Sequence, residues 1–179
     1  MMRILPIIGT RPEAIKMAPV VLGLRAHAGE VQTILCSTGQ HRGMLDQALA
    51  AFGLEAAIDL ALMQPRQTLA SLNARVLTGI DDVLDRIQPD LVIVQGDTTT
   101  AAASALAAFY RRVPVAHLEA GLRTDDISEP FPEEANRRIV GMLATLHFAP
   151  TPYAAECLYR EGVCRDRVVV TGNTVIDAL

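Results

Sequence analysis

The sequence predicts one doubly wound α/β domain built on a parallel sheet. Three observations carry that expectation. Short apolar runs alternate with segments of helical period along all 179 residues, the pattern of repeated strand–helix units. Two of the runs, DLVIVQ (90–95) and VPVAHLEAG (113–121), are apolar almost throughout, as strands covered on both faces are. Acids stand at or just beyond their ends, Asp97 after the first and Glu119 in the second, where parallel sheets meet ligands.

Taken in order, residues 2–8 read as the first buried strand, with Pro6 as an objection because proline cannot donate to a ladder. Gly9 makes a turn. Thr10 and Glu13 fit a capping box, Pro12 suits the first helical turn, and Pro19 is expected to kink or restart the helix. VQTILCS (31–37) is the second strand, followed by a helix from about His41 to Phe52. Residues 55–66 are irregular or a short strand. Leu69, Leu72, Val76, Ile80, Val83, Leu84 and Ile87 recur at helical spacing between Thr68 and Pro89.

After the strand at 90–95 and the turn at Gly96, an alanine-rich helix presents small residues that allow close packing on the sheet. The strand at 113–121 leads into a polar, proline-containing loop. Glu133 and Glu134 then open a helix to about Leu143. LHFAP (146–150) is a strand, Thr151-Pro152 starts a helix to about Gly162, VVVTGN (168–173) is the last strand, and Thr174 begins another helix.

Composition narrows the class. A net charge of −4 disfavours a nucleic-acid surface. The first residues are too short an apolar run for a secretory signal, and no stretch of 18 apolar residues would span a membrane, which together point to the cytoplasm. The three cysteines lack zinc-site spacing and read as small buried hydrophobes.

The chemistry gathers between Val94 and Arg138. Asp97 is either the N-cap of the next helix or a ligand contact, and one residue can do both. Strand alternation puts His117 and Glu119 on one side. His117 reads as a hydrogen-bonded core histidine, whereas Glu119, ahead of Ala120 and Gly121, has no evident structural task. Acids at Glu133 and Glu134 complement a helix dipole, an explanation that covers one of them better than both. At the first turn, the glycine and the helix N-terminus form an anion site, with Arg11 and Lys16 beside it. The alternative there is a capped helix with two solvated cations. His41 is placed either as a surface residue or as a phosphate contact.

These segments together resemble a known family. GTRPEAIKMAPV, GQHRGMLDQ, GDTTT, HLEAGLRT, PFPEEANRR and GNTVIDAL resemble, in order and from end to end, the non-hydrolysing UDP-N-acetylglucosamine 2-epimerases. The resemblance implies a glycosyltransferase-B-like architecture of two Rossmann-like domains. Residues 1–179 correspond to the first, and the second, UDP-binding domain lies outside them. It implies interconversion of UDP-N-acetylglucosamine and UDP-N-acetylmannosamine in polysaccharide biosynthesis. The C2 proton is removed, UDP is expelled to leave 2-acetamidoglucal, and UDP re-adds; no nicotinamide or metal is needed.

On matching motifs, Asp97, Glu119 and Glu133 fall on the acids of proton transfer, and Arg11 and Lys16 on the cations near the diphosphate. His41 and Arg137 are expected to meet substrate. Gln40 and Arg66 fall on an allosteric pattern from which Gly43 departs. The resemblance also implies a homodimer of the full-length form, an isolated domain that folds without turning over, and an apolar patch left uncovered on that domain. Competing readings are a hydrolysing 2-epimerase and a non-catalytic domain that binds a nucleotide sugar or a partner chain.

Overall fold

The structure, a computed structural model, describes residues 1–39, 42–124 and 126–179. Its strands are β1 (Met2–Ile8), β2 (Val31–Thr33), β3 (Cys36–Ser37), β4 (Ile58–Asp59), β5 (Leu91–Gln95), β6 (Val115–Leu118), β7 (Leu146–Ala149) and β8 (Val168–Val170). Its helices are α1 (Arg11–Ala26), α2 (Arg42–Ala51), α3 (Leu69–Ile87), α4 (Thr99–Tyr110), α5 (Glu133–Leu143) and α6 (Pro152–Arg160). The strands form one sheet in the order β4-β3-β1-β5-β6-β7-β8, with β2 also beside β1. Every pairing is parallel. The chain winds outward from β1 to β4, returns, and winds the other way from β5. The switch point therefore lies between β1 and β5.

Period-two alternation divides the core. Leu5, Ile7, Val92, Val94 and Val115 pack with α3, α4 and α5 on one face. Ile4, Ile8, Ile93, Ala116 and Leu118 pack with α1 and α2 on the other. The small residues of α4 serve close packing as expected: Ala101, Ala103, Ala105, Ala107 and Ala108 are all buried. Thr68 and Thr151 cap α3 and α6, accepting from Ser71 N and Ala154 N, each at 3.1 Å.

Several expectations are corrected. The strand at 31–37 is two pieces, because Pro6 faces it. Ile4 O and Ile8 O accept from Ile34 N and Thr38 N, so Pro6, midway between them, also points that way and has no N–H to give. The ladder is interrupted there and resumes beyond. Helix α1 runs through Pro19 without a restart. Its buried face of Ala14, Met17, Ala18 and Val21 outweighs the one backbone bond that proline removes.

Strand β6 stops at Leu118, because Glu119 takes a left-handed backbone at φ 62°. Strand β8 ends at Val170, and the residues after Asn173 form turns instead of a helix. Cys36 and Cys157 are buried, but Cys164 is exposed and is not core filler. On the outer strands Leu146 and Val169 remain exposed, at 38% and 49%. No described helix is long and apolar enough to cross a membrane.

Candidate active site

The loops after β1, β5 and β6 meet at the switch point, beyond the carboxyl ends of the strands, where sheets of this winding bind ligands. Glu119 stands at the centre. Lys16, from α1, donates to both of its carboxylate oxygens at 2.7 and 2.6 Å. Gln95 Nε2, at the end of β5, donates to Oε2 at 2.5 Å, and Asn173 Nδ2, after β8, to Oε1 at 2.9 Å. Three elements distant in sequence thus converge on one acid. A non-glycine residue at positive φ costs of order 1–3 kcal/mol and persists where its surroundings fix it, as these donors do here.

Asp97 is not the cap of α4. That role belongs to Thr98, whose hydroxyl accepts from Ala101 N at 3.0 Å, so the Asp97 carboxylate is not used in capping. Arg137 Nη2 donates to it, and Asn136 Nδ2 donates to the Asp97 carbonyl at 2.9 Å. Burial raises the Asp97 pKa; Arg137 opposes that shift, and the nearby charges of Glu119 and Glu133 add to it. Of the nearby arginines Arg123, Arg137 and Arg138, Arg137 is the one whose contact with this carboxylate is seen among the described residues. Arg123 is paired with Glu161 at 2.7 Å and Arg138 with Glu134 at 2.7 Å.

The acids opening α5 separate in role. Glu134 is fully buried and accepts from Thr124 N at 3.1 Å and Arg138 Nε at 2.7 Å, with Arg137 Nη1 3.3 Å away. Glu133 is half-buried, makes no hydrogen bond or ion pair among the described residues, and stands close enough to Asp97 to act on its charge.

Two amides of the turn where an anion site was expected are taken by the chain itself. The Glu13 carboxylate accepts from Gly9 N at 2.9 Å and Thr10 N at 2.6 Å, and its other oxygen accepts from the Thr98 hydroxyl at 2.7 Å. Those amides are not free for a phosphate. Burial raises the Glu13 pKa against these hydrogen bonds. Gly9 serves packing: a Cβ there would come within 2.3 Å of Thr100 Oγ1 and 2.6 Å of Thr38 Oγ1.

Arg11 is exposed at the start of α1 and makes no hydrogen bond or ion pair among the described residues. Lys16 is committed to Glu119. Arg66 lies exposed in the turn between β4 and α3, and Gln40 and His41 lie outside the described residues. His117 is the core histidine expected: fully buried, its Nε2–H donates to Gly96 O at 2.7 Å, and desolvation lowers its pKa to about 3. Among the described residues, no group of three or more His, Cys, Asp or Glu is placed to hold a metal ion.

Gln95, Asn173 and the second role of Glu13 were missed by sequence reasoning. The available signal was Gln95, a polar residue ending an otherwise apolar strand, since a buried polar group needs a partner.

A doubly wound parallel sheet with helices on both faces defines an α/β domain of the Rossmann-like class. A family model of UDP-N-acetylglucosamine 2-epimerase matches residues 24–179, and the chain belongs to that family. A relative from Ralstonia solanacearum, a probable UDP-N-acetylglucosamine 2-epimerase, is 54% identical over 179 residues, covering 100% of this chain and 48% of its own length. The crystal structure of UDP-GlcNAc 2-epimerase from Neisseria meningitidis bound to UDP-GlcNAc superposes with a TM-score of 0.96 at 50% identity, covering 99% of this chain and 47% of that one. A lipopolysaccharide outer core galactosyltransferase superposes with a TM-score of 0.65 at 11% identity, covering 97% of this chain and 46% of that one. This last likeness shows the fold alone, a Rossmann-like sheet that forms one half of a glycosyltransferase-B-like architecture. The chain spans about half the length of the relatives it matches.

Proposed function

We propose that this chain is the N-terminal, acid–base half of a non-hydrolysing UDP-N-acetylglucosamine 2-epimerase. The observation that carries the reading is the pair of carboxyl groups held in unlike environments at one switch point. Glu119 receives hydrogen bonds from Lys16, Gln95 and Asn173, while Asp97 is biased by burial toward keeping a proton. Carboxyl groups set apart in this way divide acid and base work.

A C2–H beside an acetal is a poor acid, so its removal needs a positioned base. Glu119 takes the C2 proton as the C1–O bond to UDP breaks, leaving bound 2-acetamidoglucal. Asp97, with Glu133 beside it, returns a proton to the opposite face of C2 as a UDP oxygen re-forms the bond at C1. Arg11, exposed at the mouth, meets the diphosphate. His41 is proposed as a further substrate contact, and Gln40 and Arg66 as an allosteric edge. The uridine is held by a second domain, so the 179 residues alone are expected to fold without turning over. The enzyme needs no nicotinamide or metal, acts in the cytoplasm, where its three free cysteines would stay reduced, and works as a homodimer. Exposed Phe109, Tyr110, Ile139 and Met142 on α4 and α5 supply an apolar surface for such pairing.

The test incubates UDP-N-acetylglucosamine with a form that also carries the second domain, and reads the products by NMR. UDP-N-acetylmannosamine without stoichiometric free UDP is the expected result. Stoichiometric UDP with free N-acetylmannosamine would assign the hydrolysing reaction instead.

A further inference from the structure

Arg137 is held at both terminal nitrogens of its guanidinium group and is mostly shielded from solvent. Its Nη2 donates to Asp97, its Nη1 lies 3.3 Å from Glu134 Oε2, and its Nε is buried with no partner. The side chain is only 13% exposed. Glu134 behind it is immobilised by Arg138 Nε and Thr124 N. The preceding residue, Asn136, grips the Asp97 carbonyl at 2.9 Å. Helix α5 therefore takes hold of Asp97 by side chain and by backbone at once.

We propose that Arg137 acts through Asp97 and not on a ligand: it is a positioning residue, backed by Glu134, that orients the Asp97 carboxyl group and counters the other acids of the cleft. The charged groups around Asp97 come from three elements. Arg137 and Glu133 face it from α5, Glu119 from the end of β6, and Lys16 of α1 stands behind Glu119. Arg137 is the one cation among these in contact with Asp97, so its loss leaves a partly buried carboxyl group beside two acids. This inference rests on the reading of Asp97 as a proton-transfer group. The experiment reads Asp97 itself, without turnover, so the two can fail separately.

The experiment titrates the Asp97 side-chain carboxyl by ¹³C NMR in the 179-residue chain. In Arg137→Met the protonation midpoint should move upward by about one to three pH units, the usual effect of losing an opposite charge at contact distance. Arg137→Lys should recover part of the movement. Removing one partner of a buried pair can unfold a protein, so Arg137→Met/Glu134→Gln, which removes both charges, provides a second folded background and should also move the midpoint upward. If Asp97 titrates as in the wild type in folded Arg137 variants, Arg137 does not act through Asp97 and the proposal is overturned.

Discussion

Lys16 and Glu119, separated by 103 positions in sequence, form a two-pronged ion pair across the switch point at 2.7 and 2.6 Å. It ties α1 to the loop after β6, so the carboxylate proposed as the base is also a tertiary cross-link. Both side chains are mostly buried, at 24% and 14% exposed. Lys16→Met should therefore leave Glu119 short of donors and cost roughly 1.5–3 kcal/mol, the range for hydrogen bonds to charged groups. The double variant Lys16→Met/Glu119→Gln should cost less than the sum of the single changes, because neither leaves a charge unpaired. Urea denaturation of the four proteins checks this; strict additivity would mean the pair contributes nothing.

Gly9 should tolerate no side chain. Gly9→Ala puts a Cβ against the hydroxyls of Thr100 and Thr38, which are themselves 3.2 Å apart. Overpacking of this kind costs about 1–3 kcal/mol. Thr100→Ala removes the nearer obstruction and should restore part of the stability of Gly9→Ala, measured as the shift in denaturation midpoint.

Stability should fall as pH falls from neutrality, in part through His117. Its folded pKa is about 3, against an ordinary value of 6.5. Between those values the unfolded chain binds a proton that the folded chain does not, so stability is present above pH 6.5 and is lost on acidification. At pH 5 the loss is about 2 kcal/mol for this one residue. His147, whose pKa burial also lowers, acts in the same direction. The buried acids Glu13 and Asp97, raised by desolvation, act oppositely, so the test is differential. His117→Gln should show a shallower dependence than the wild type between pH 7 and 5. Equal slopes would mean that His117 is not held neutral by the fold.

How far the sequence could be read depended on the range of the interaction. Continuous apolar strands, helical spacing from Leu69 to Ile87 and helix starts at Thr68 and Thr151 are local signals, and each element they predict is present. The errors came where one segment acts on another. Pro6 interrupts the strand beside it and leaves its own intact. Glu13 looked like a helix cap but also satisfies amides that appeared available to phosphate and holds Thr98 across the switch point. By residue type Asp97 is the better cap of the two, and only the turn geometry after Gly96 assigns the cap to Thr98. The acidic cluster itself was legible, because carboxylates beyond apolar parallel strands have few structural uses. The donors around Glu119 were not, since Lys16, Gln95 and Asn173 are far apart in the chain and only the winding of the sheet brings them together.

The central claim, that the acids at the switch point move the C2 proton, is tested most directly by hydrogen exchange at C2. A form carrying this domain and a second, UDP-holding domain is incubated with UDP-N-acetylglucosamine in D₂O, and deuterium at C2 is followed by NMR. The wild type should incorporate deuterium in both epimers. Glu119→Gln should fold normally and exchange on the order of 10²–10⁴-fold more slowly, the usual contribution of one positioned acid–base group. Wild-type exchange rates in that variant would place Glu119 outside the proton path and contradict the account.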